Sequence, residues 1–213
     1  MTHMERKPRG YQMTTRAQSA ARTAERLLDA MLERYGRLPY DAIRLEDLAS
    51  DAGVAVQTVV RRFGGKPGLM LATVEREFGR VAADRAAAMG DSPLATVHAL
   101  VGFYEDHAAL ILKMYAEADQ VPGLPELAAS ARAFHVDWCR RAFSDRLGGA
   151  DEPAAQQRRL AQVVAVCDAT TWRILRFDGG LDAEQTERAI VELLSPLLAD
   201  DQRLVGGAEQ GPG

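Results

Sequence analysis

Residues 43–69, IRLEDLASDAGVAVQTVVRRFGGKPGL, restrict the fold more than any other stretch of the chain. Leu45, Leu48, Ala49, Val54, Val59 and Phe63 fall where two short helices, meeting at a sharp turn, can bury one small core. Ala49 allows the helices to approach closely. Ala52-Gly53 ends the first with a residue that tolerates a left-handed backbone, and Val54 anchors the turn. Two short helices are therefore predicted, around Leu45 to Ala52 and Val56 to Phe63. Gly64 and Gly65 break the chain after them. Lys66-Pro67 then opens a longer helix running toward the late 80s, with Pro in the first turn, where its missing N–H does no harm.

The remainder is helical as well. Apolar residues recur at helical spacing in every long segment, and no sustained period-two alternation occurs, so the chain is expected to be all-α. Thr15 and Gln18 predict the cap of the first helix, Ala24, Leu27, Leu28, Met31 and Tyr35 form its buried stripe, and Gly36 ends it. Start signals at Ser92-Pro93, Leu124-Pro125, Glu152-Pro153 and Asp182 with Gln185, and stops at Gly148-Gly149 and Gly179-Gly180, delimit the later helices. These span about 93 to 118 (His107 being a candidate break), 125 to 147, 153 to 178 and 183 to 200. The organisation expected is a basic arm at 1–14, a three-helix helix-turn-helix domain at 15–70 whose linking helix continues to about 88, a larger C-terminal domain at 71–203, and a disordered tail at 204–213.

Charge is divided along the chain. Up to Met70 there are 12 Lys/Arg against 8 Asp/Glu, whereas the remainder carries 14 against 22, which together give the net −4. The front of the chain is thus the part able to approach phosphate, and the acidic remainder is expected to face away. No apolar run approaches a membrane span and the basic, polar start is no leader, which predicts a cytoplasmic protein without membrane contact. Cys139 and Cys167 show neither a CxxC spacing nor a framework and are expected to be reduced and buried. No GxSxG, Walker loop, GxGxxG or HExxH occurs. His3, His98, His107 and His135 lack the spacing of a metal cluster. An enzyme, a cofactor and a metal are therefore not expected.

The helix-turn-helix segment resembles the TetR family of bacterial repressors. Leu45, Leu48, Ala49, Ala52, Gly53, Val54, Thr58, Val59, Phe63, Lys66 and Leu69 stand where that pattern has its apolar, small, Thr, Phe and Lys positions, and the resemblance covers about residues 15 to 75. It implies that Val56, Gln57 and Val60 face base edges in a major groove while Thr58 and Lys66 hold phosphates, a role suited to a hydroxyl and an ammonium at helix starts. Arg44, Arg61 and Arg62 are further phosphate candidates. Three positions depart from the family: Ala55 where a capping Ser is frequent, Val60 where Tyr is usual, and Gln57 where a small residue is common. Valine surface suits thymine methyls and Gln57 can pair with adenine, so an A·T-containing half-site is expected. Arg6, Lys7, Arg9, Arg16 and Arg22 could form an arm along the DNA backbone or in the minor groove, or a merely solubilising tail.

Two late stripes are unusually apolar: Leu160, Val163, Val164, Cys167, Thr171 and Ile174, then Ile190, Leu193, Leu194, Leu197 and Leu198. The resemblance implies that the last two long helices pair with their twofold mates, making a homodimer that reads a palindromic operator. The alternative is that both stripes face the core of their own protomer. Phe103, Tyr104, His107, Met114, Phe134, Trp138, Cys167, Thr171 and Trp172, with Tyr115, His135 and Cys139 nearby, suit either a largely apolar or aromatic effector or plain packing. Asp168, set among apolar residues, needs a partner: a ligand, or an arginine such as Arg140 or Arg173. The function expected is a repressor released from its operator by a small-molecule effector. The alternatives are a DNA-binding regulator without effector, and a helical scaffold or enzyme carrying a vestigial motif.

Overall fold

The computed structural model describes residues 9–87, 89–90, 92–147 and 152–198. Arg6, Lys7, the Gly148-Gly149 stop and the 204–213 tail lie outside them. Among the described residues every regular element is helical, and no helix is long and apolar enough to cross a membrane. The helices are α1 (Arg9–Arg37), α2 (Leu45–Asp51), α3 (Val56–Phe63), α4 (Lys66–Ala87), α5 (Pro93–Ala116), α6 (Leu124–Ala142), α7 (Ser144–Leu147), α8 (Pro153–Val166), α9 (Ala169–Arg173) and α10 (Ala183–Leu198). Single 3-10 turns cover Tyr40–Ala42 and Ala118–Gln120.

The chain divides into two compact units. The first comprises 1–78 with 117–125, and the second 79–116 with 126–213. In the first, Leu27, Leu28, Met31 and Tyr35 of α1, Leu48 and Ala49 of α2, Val59 of α3, and Leu69 and Met70 of α4 are all buried, with α2 packed against both α1 and α3. The stripe expected on α1 is therefore its buried face. The helix itself starts by Arg9, which places the Thr15–Gln18 pair inside it rather than at its cap. A capping box stabilises a start but cannot impose one where the residues ahead can also be helical. Its end is likewise set by Pro39 rather than Gly36, since α1 continues to Arg37 and the residue before a proline is pushed out of the helical region.

Ion pairs fix α1 against its neighbours. Arg34 binds Asp51 and Asp47 of α2, and the Arg34 hydrogen bond holds the Asp51 carboxyl below its usual range. Arg76 of α4, largely covered, binds Glu25 and Asp29 of α1 and Glu77 beside it. The 117–125 segment is tied in by a Glu117 carboxylate that accepts the Tyr40 amide at 3.0 Å, and it buries Val121 and Leu124.

In the second unit α5 runs unbroken through His107, whereas the segment expected as one helix from 153 to 178 is divided. Cys167 closes α8, Asp168 caps α9, and Ile174–Asp178 forms a π-type turn in which the Gly179 amide reaches the Ile174 carbonyl. Asp168 accepts the Thr170 amide at 2.8 Å, a local bond that competes with helix continuation. The helix expected from 125 to 147 is likewise interrupted, at Phe143 between α6 and α7. At α10 the Asp182 carboxylate accepts the Gln185 amide, and the Gln185 side chain accepts the Asp182 amide, a reciprocal cap. The core gathers Leu100, Val101, Tyr104, Trp138, Phe143, Val163, Cys167, Trp172, Ile190 and Leu194.

One glycine in α4 is obligatory on steric grounds. A Cβ on Gly68 would stand 1.7 Å from the Phe63 carbonyl oxygen, so α4 can follow α3 this closely only without a side chain there. Gly79, in the same helix, has nothing within 4 Å of the equivalent position. Gly68→Ala is therefore expected to lower the unfolding free energy by several kcal/mol, as backbone clashes in packed sites do. Gly79→Ala should raise it by about 0.5–1 kcal/mol through helix propensity. Urea denaturation of the two variants tests both signs.

Candidate functional sites

The turn between α2 and α3 is made by backbone bonds. Val54 N–H donates to the Ala49 carbonyl at 2.9 Å and Ala52 N–H to that of Leu48 at 3.1 Å, with Gly53 at φ +64° between them. This geometry buries Val59 and Ala52 completely and leaves Val54, Leu45 and Phe63 half-covered. Ala55 stands at the start of α3 without a side-chain cap, as its methyl dictates, and only its carbonyl serves, accepting the Thr58 amide at 2.9 Å.

With Val59 turned inward, the opposite side of α3 presents Gln57, Val60, Arg61 and Arg62 to solvent, and Val56 and Thr58 flank it half-buried. Val60 is 50% exposed, a large share for a valine in a helix. Arg44, just before α2, is exposed and only loosely paired with Glu46 at 3.7 Å, a contact of little energetic weight. The expected base-facing and phosphate-facing side chains thus share one surface, with the exception of Lys66.

The Lys66 ammonium points inward. It donates to the carbonyls of Tyr40 and Ile43, each at 3.0 Å, and lies 4.2 Å from the centre of the Tyr40 ring. Its place at the opening of a helix suggests phosphate contact, but the nearer acceptors are the carbonyls at the 3-10 turn, that of Ile43 and that of Tyr40, which also accepts the Ile43 amide at 3.1 Å. Lys66 therefore braces the loop ahead of α2. Lys66→Met should cost about 1–2 kcal/mol of stability by leaving the Ile43 carbonyl without this donor and the Tyr40 carbonyl with only the Ile43 amide, which thermal denaturation can measure.

In the second unit Phe103, Tyr104, Trp138, Cys167 and Trp172 enter a single buried cluster. Phe103 meets Tyr104 edge-on with centroids 5.4 Å apart, His107 lies on Phe103 at 4.9 Å, and Trp172 stands 6.1 Å from Tyr104. Phe134 packs at the edge of this cluster, and Met114 is buried apart from it. Tyr104 donates its hydroxyl to the Cys167 carbonyl at 2.7 Å, and Thr171 donates to that of Ala165 at 2.6 Å. These two bonds satisfy the carbonyls exposed where α8 stops. A surface cleft of about 290 Å³ between α5 and α10 is lined instead by Leu94, Val97, Val191 and Leu194, so it contains none of the expected effector residues.

Asp168 finds its partner in the Thr170 amide rather than in an arginine. Arg140 pairs with Asp137 and Arg173 with Asp178. Its second oxygen stands 3.9 Å from His135 Nε2. Both cysteines are free and buried. A hydrogen bond from Cys167, aided by His135 and Arg85, holds the Cys139 thiol well below its usual range, while the Cys167 thiol is pushed up.

The residue that sequence reasoning missed is Arg85, only 5% exposed near the end of α4. Its guanidinium lies 4.2 Å from the Trp138 ring centre, 5.3 Å from Phe103 and 5.6 Å from Tyr104. Nη2 donates to His135 Nδ1 at 2.9 Å, which places the ring proton on Nε2, where it is donated to the Val164 carbonyl at 3.1 Å. Trp138 Nε1 donates to the carbonyl of Arg85 itself at 3.1 Å. The available signal is register, since Val74, Phe78, Val81 and Arg85 follow one another at four-three-four spacing, the period of a buried stripe.

No protein-family model matches the chain. It is 28% identical over 200 residues to the HTH-type transcriptional repressor KstR of Mycolicibacterium smegmatis, a likeness covering 88% of this chain and 89% of KstR. A TetR-family transcriptional regulator from Rhodococcus sp. superposes with a TM-score of 0.59 at 18% identity, covering 84% of this chain and 100% of its own. The SmeT–triclosan complex superposes at 0.61 with 16% identity, covering 90% and 99% respectively. These structures share the fold, and the likeness to KstR extends over nearly the whole of both sequences.

Proposed function

We propose that the chain acts as a homodimeric repressor that reads a palindromic operator through α3 and is released by a small, largely apolar or aromatic effector held in the second unit. The observation that carries the DNA-reading part is the division of α3, with Val59 sealed inside while Gln57, Val60, Arg61 and Arg62 stand together outside. A buried hairpin serving only as packing has no need of a solvent-facing row that joins an amide, an apolar side chain and two guanidinium groups. KstR, described as a repressor, supports the sign of regulation. SmeT, with the same fold and in complex with triclosan, supports a small-molecule effector.

Dimerisation is assigned to the two late segments, 153–178 and α10. Val163, Ile190, Leu194 and Leu198 of the two stripes are already buried in their own protomer. What remains outward is narrower than the sequence pattern: Leu193 and Ile174, each 47% exposed, and Phe177 at 68%. Exposed apolar residues of this size on neighbouring elements favour a partner surface. Twofold pairing there places two reading heads on half-sites about one helical turn, some 34–36 Å, apart. Effector binding and operator binding are then linked reciprocally, each weakening the other by the same factor.

The test is selection of bound duplexes from a random library at moderate salt. A palindrome with A·T pairs in each half-site is expected. Gln57→Ala should relax preference at one position, costing about 1–3 kcal/mol of discrimination. Arg61→Ala or Arg62→Ala should weaken all sequences alike and make the salt slope shallower by about 0.9 for each phosphate left without its guanidinium. Lys66→Met, still folded at low temperature, should leave that slope unchanged. No enriched sequence would refute the reading.

A further inference from the structure

Arg85 has a property that neither DNA binding nor packing requires. It is 5% exposed, and no carboxylate among the described residues lies within ion-pair distance of it. Its charge is answered by three ring faces and by one hydrogen bond to a histidine nitrogen. Its Nε–H is buried without any hydrogen-bond partner. Asp168 approaches the His135 ring at Nε2, the nitrogen that does not face Arg85, and spends one oxygen on the Thr170 amide. An isolated guanidinium in such surroundings is costly, and a methionine or leucine of similar volume would fill the space at less expense. Ring faces alone recover only part of that cost.

The open donor has a definite chemical complement. Nε–H and Nη2 share one edge of the guanidinium, the edge on which carboxylates bind in two-point fashion. His135 occupies part of Nη2, and Nε is left for an oxygen. The ring centres of Phe103, Tyr104 and Trp138 lie within 5.6 Å of the guanidinium carbon, with Trp172 beyond Tyr104, so a molecule placing an anion there must carry an apolar body. We propose that Arg85 is the anion anchor of the effector site and that the effector is an apolar or aromatic carboxylate, one oxygen accepting from Arg85 Nε and the other lying at Nη2 beside His135. This rests on the effector reading above and narrows it to one ligand class.

The experiment compares acids with their neutral isosteres. Straight-chain alkanoates from octanoate to palmitate and 2-naphthoate, each beside its primary amide, are titrated calorimetrically into the dimer and scored for thermal shift, since binding to the native state raises Tm. At least one acid should bind tenfold or more tightly than its amide, with a preference little changed between 0.05 and 0.3 M salt, because a buried pair is weakly screened. Arg85→Met should abolish the preference while leaving the unliganded Tm equal or higher, as removal of a buried charge without a carboxylate partner predicts. Amides binding the natural protein as well as acids would overturn the anion anchor while the effector reading stood. The same holds for a preference for acids that survives in Arg85→Met. If neither acids nor amides bind, the anchor is again overturned, and the effector reading falls with it only if a chemically unrestricted ligand library also leaves Tm and operator binding unmoved.

Discussion

The close approach of α4 to the end of α3 is the constraint on which the first unit depends. Gly64 and Gly65, at φ +76° and +110°, turn the chain in a conformation that side chains resist, and Gly68 lets the next helix pass against the Phe63 carbonyl. That path brings Leu69 and Met70 into the core. Once Val59 faces inward, the 3.6-residue period leaves Gln57, Val60 and Arg61 no place but outside. The same path sets Lys66 beneath the Tyr40–Ala42 turn, where its two bonds hold the approach to α2. The composition of the exposed surface is therefore a consequence of three glycines and a lysine that are not part of it.

This unit is legible in the sequence because its decisive contacts are local. The α2–α3 turn is closed by bonds between residues five or fewer apart, and small residues in fixed order announce it. Lys66 misleads for the opposite reason, as its partners lie 23 and 26 residues back, in a turn without a strong signature. The second unit is organised across still greater separations. Arg85 meets His135 across 50 residues, Tyr104 meets Cys167 across 63, and Glu105 receives Arg176 across 71. Periodicity names the apolar members of this core, including Phe103, Tyr104, Trp138 and Trp172, but cannot show that they surround a cation. Asp168 stands out in the sequence as unusual for its surroundings; its actual role, interrupting a helix that the apolar pattern would have continued, depends on a bond of only two residues' span.

The interruption at Asp168 has structural consequences of its own. Ending α8 at Val166 frees carbonyls that a continuous helix would have used internally, and these become the acceptors of Tyr104 and Thr171. The break also lets Trp172 turn its indole N–H to Glu105, which in turn binds Arg176 through both oxygens. The Arg176 hydrogen bonds hold the Glu105 carboxyl below its usual range, a sign that the pair favours the ionised form. A row of polar contacts thus follows the broken helix past the aromatic cluster. At such partly exposed positions these contacts add little net stability and act mainly to fix geometry.

The division of charge along the chain acquires a structural meaning once the units are described separately. The basic excess before Met70 includes Arg34 and Lys66, which are engaged within the first unit, and Arg44, Arg61 and Arg62, which are exposed. Formal charge therefore overstates the number of cations free to meet phosphate, and the exposed ones are shared between α1, with Arg22, Arg26 and Arg37, and the two short helices, with Arg44, Arg61 and Arg62. In the acidic second unit the sign is reversed outside, yet the buried aromatic cluster contains a guanidinium. A surface that repels anions surrounding an interior that attracts them selects for guests whose apolar body offsets the long-range repulsion, because the outer field is screened within about 8–10 Å at physiological salt whereas the buried charge is not. Small, highly charged anions are disfavoured by both terms: they meet the full outer repulsion and gain nothing from the rings.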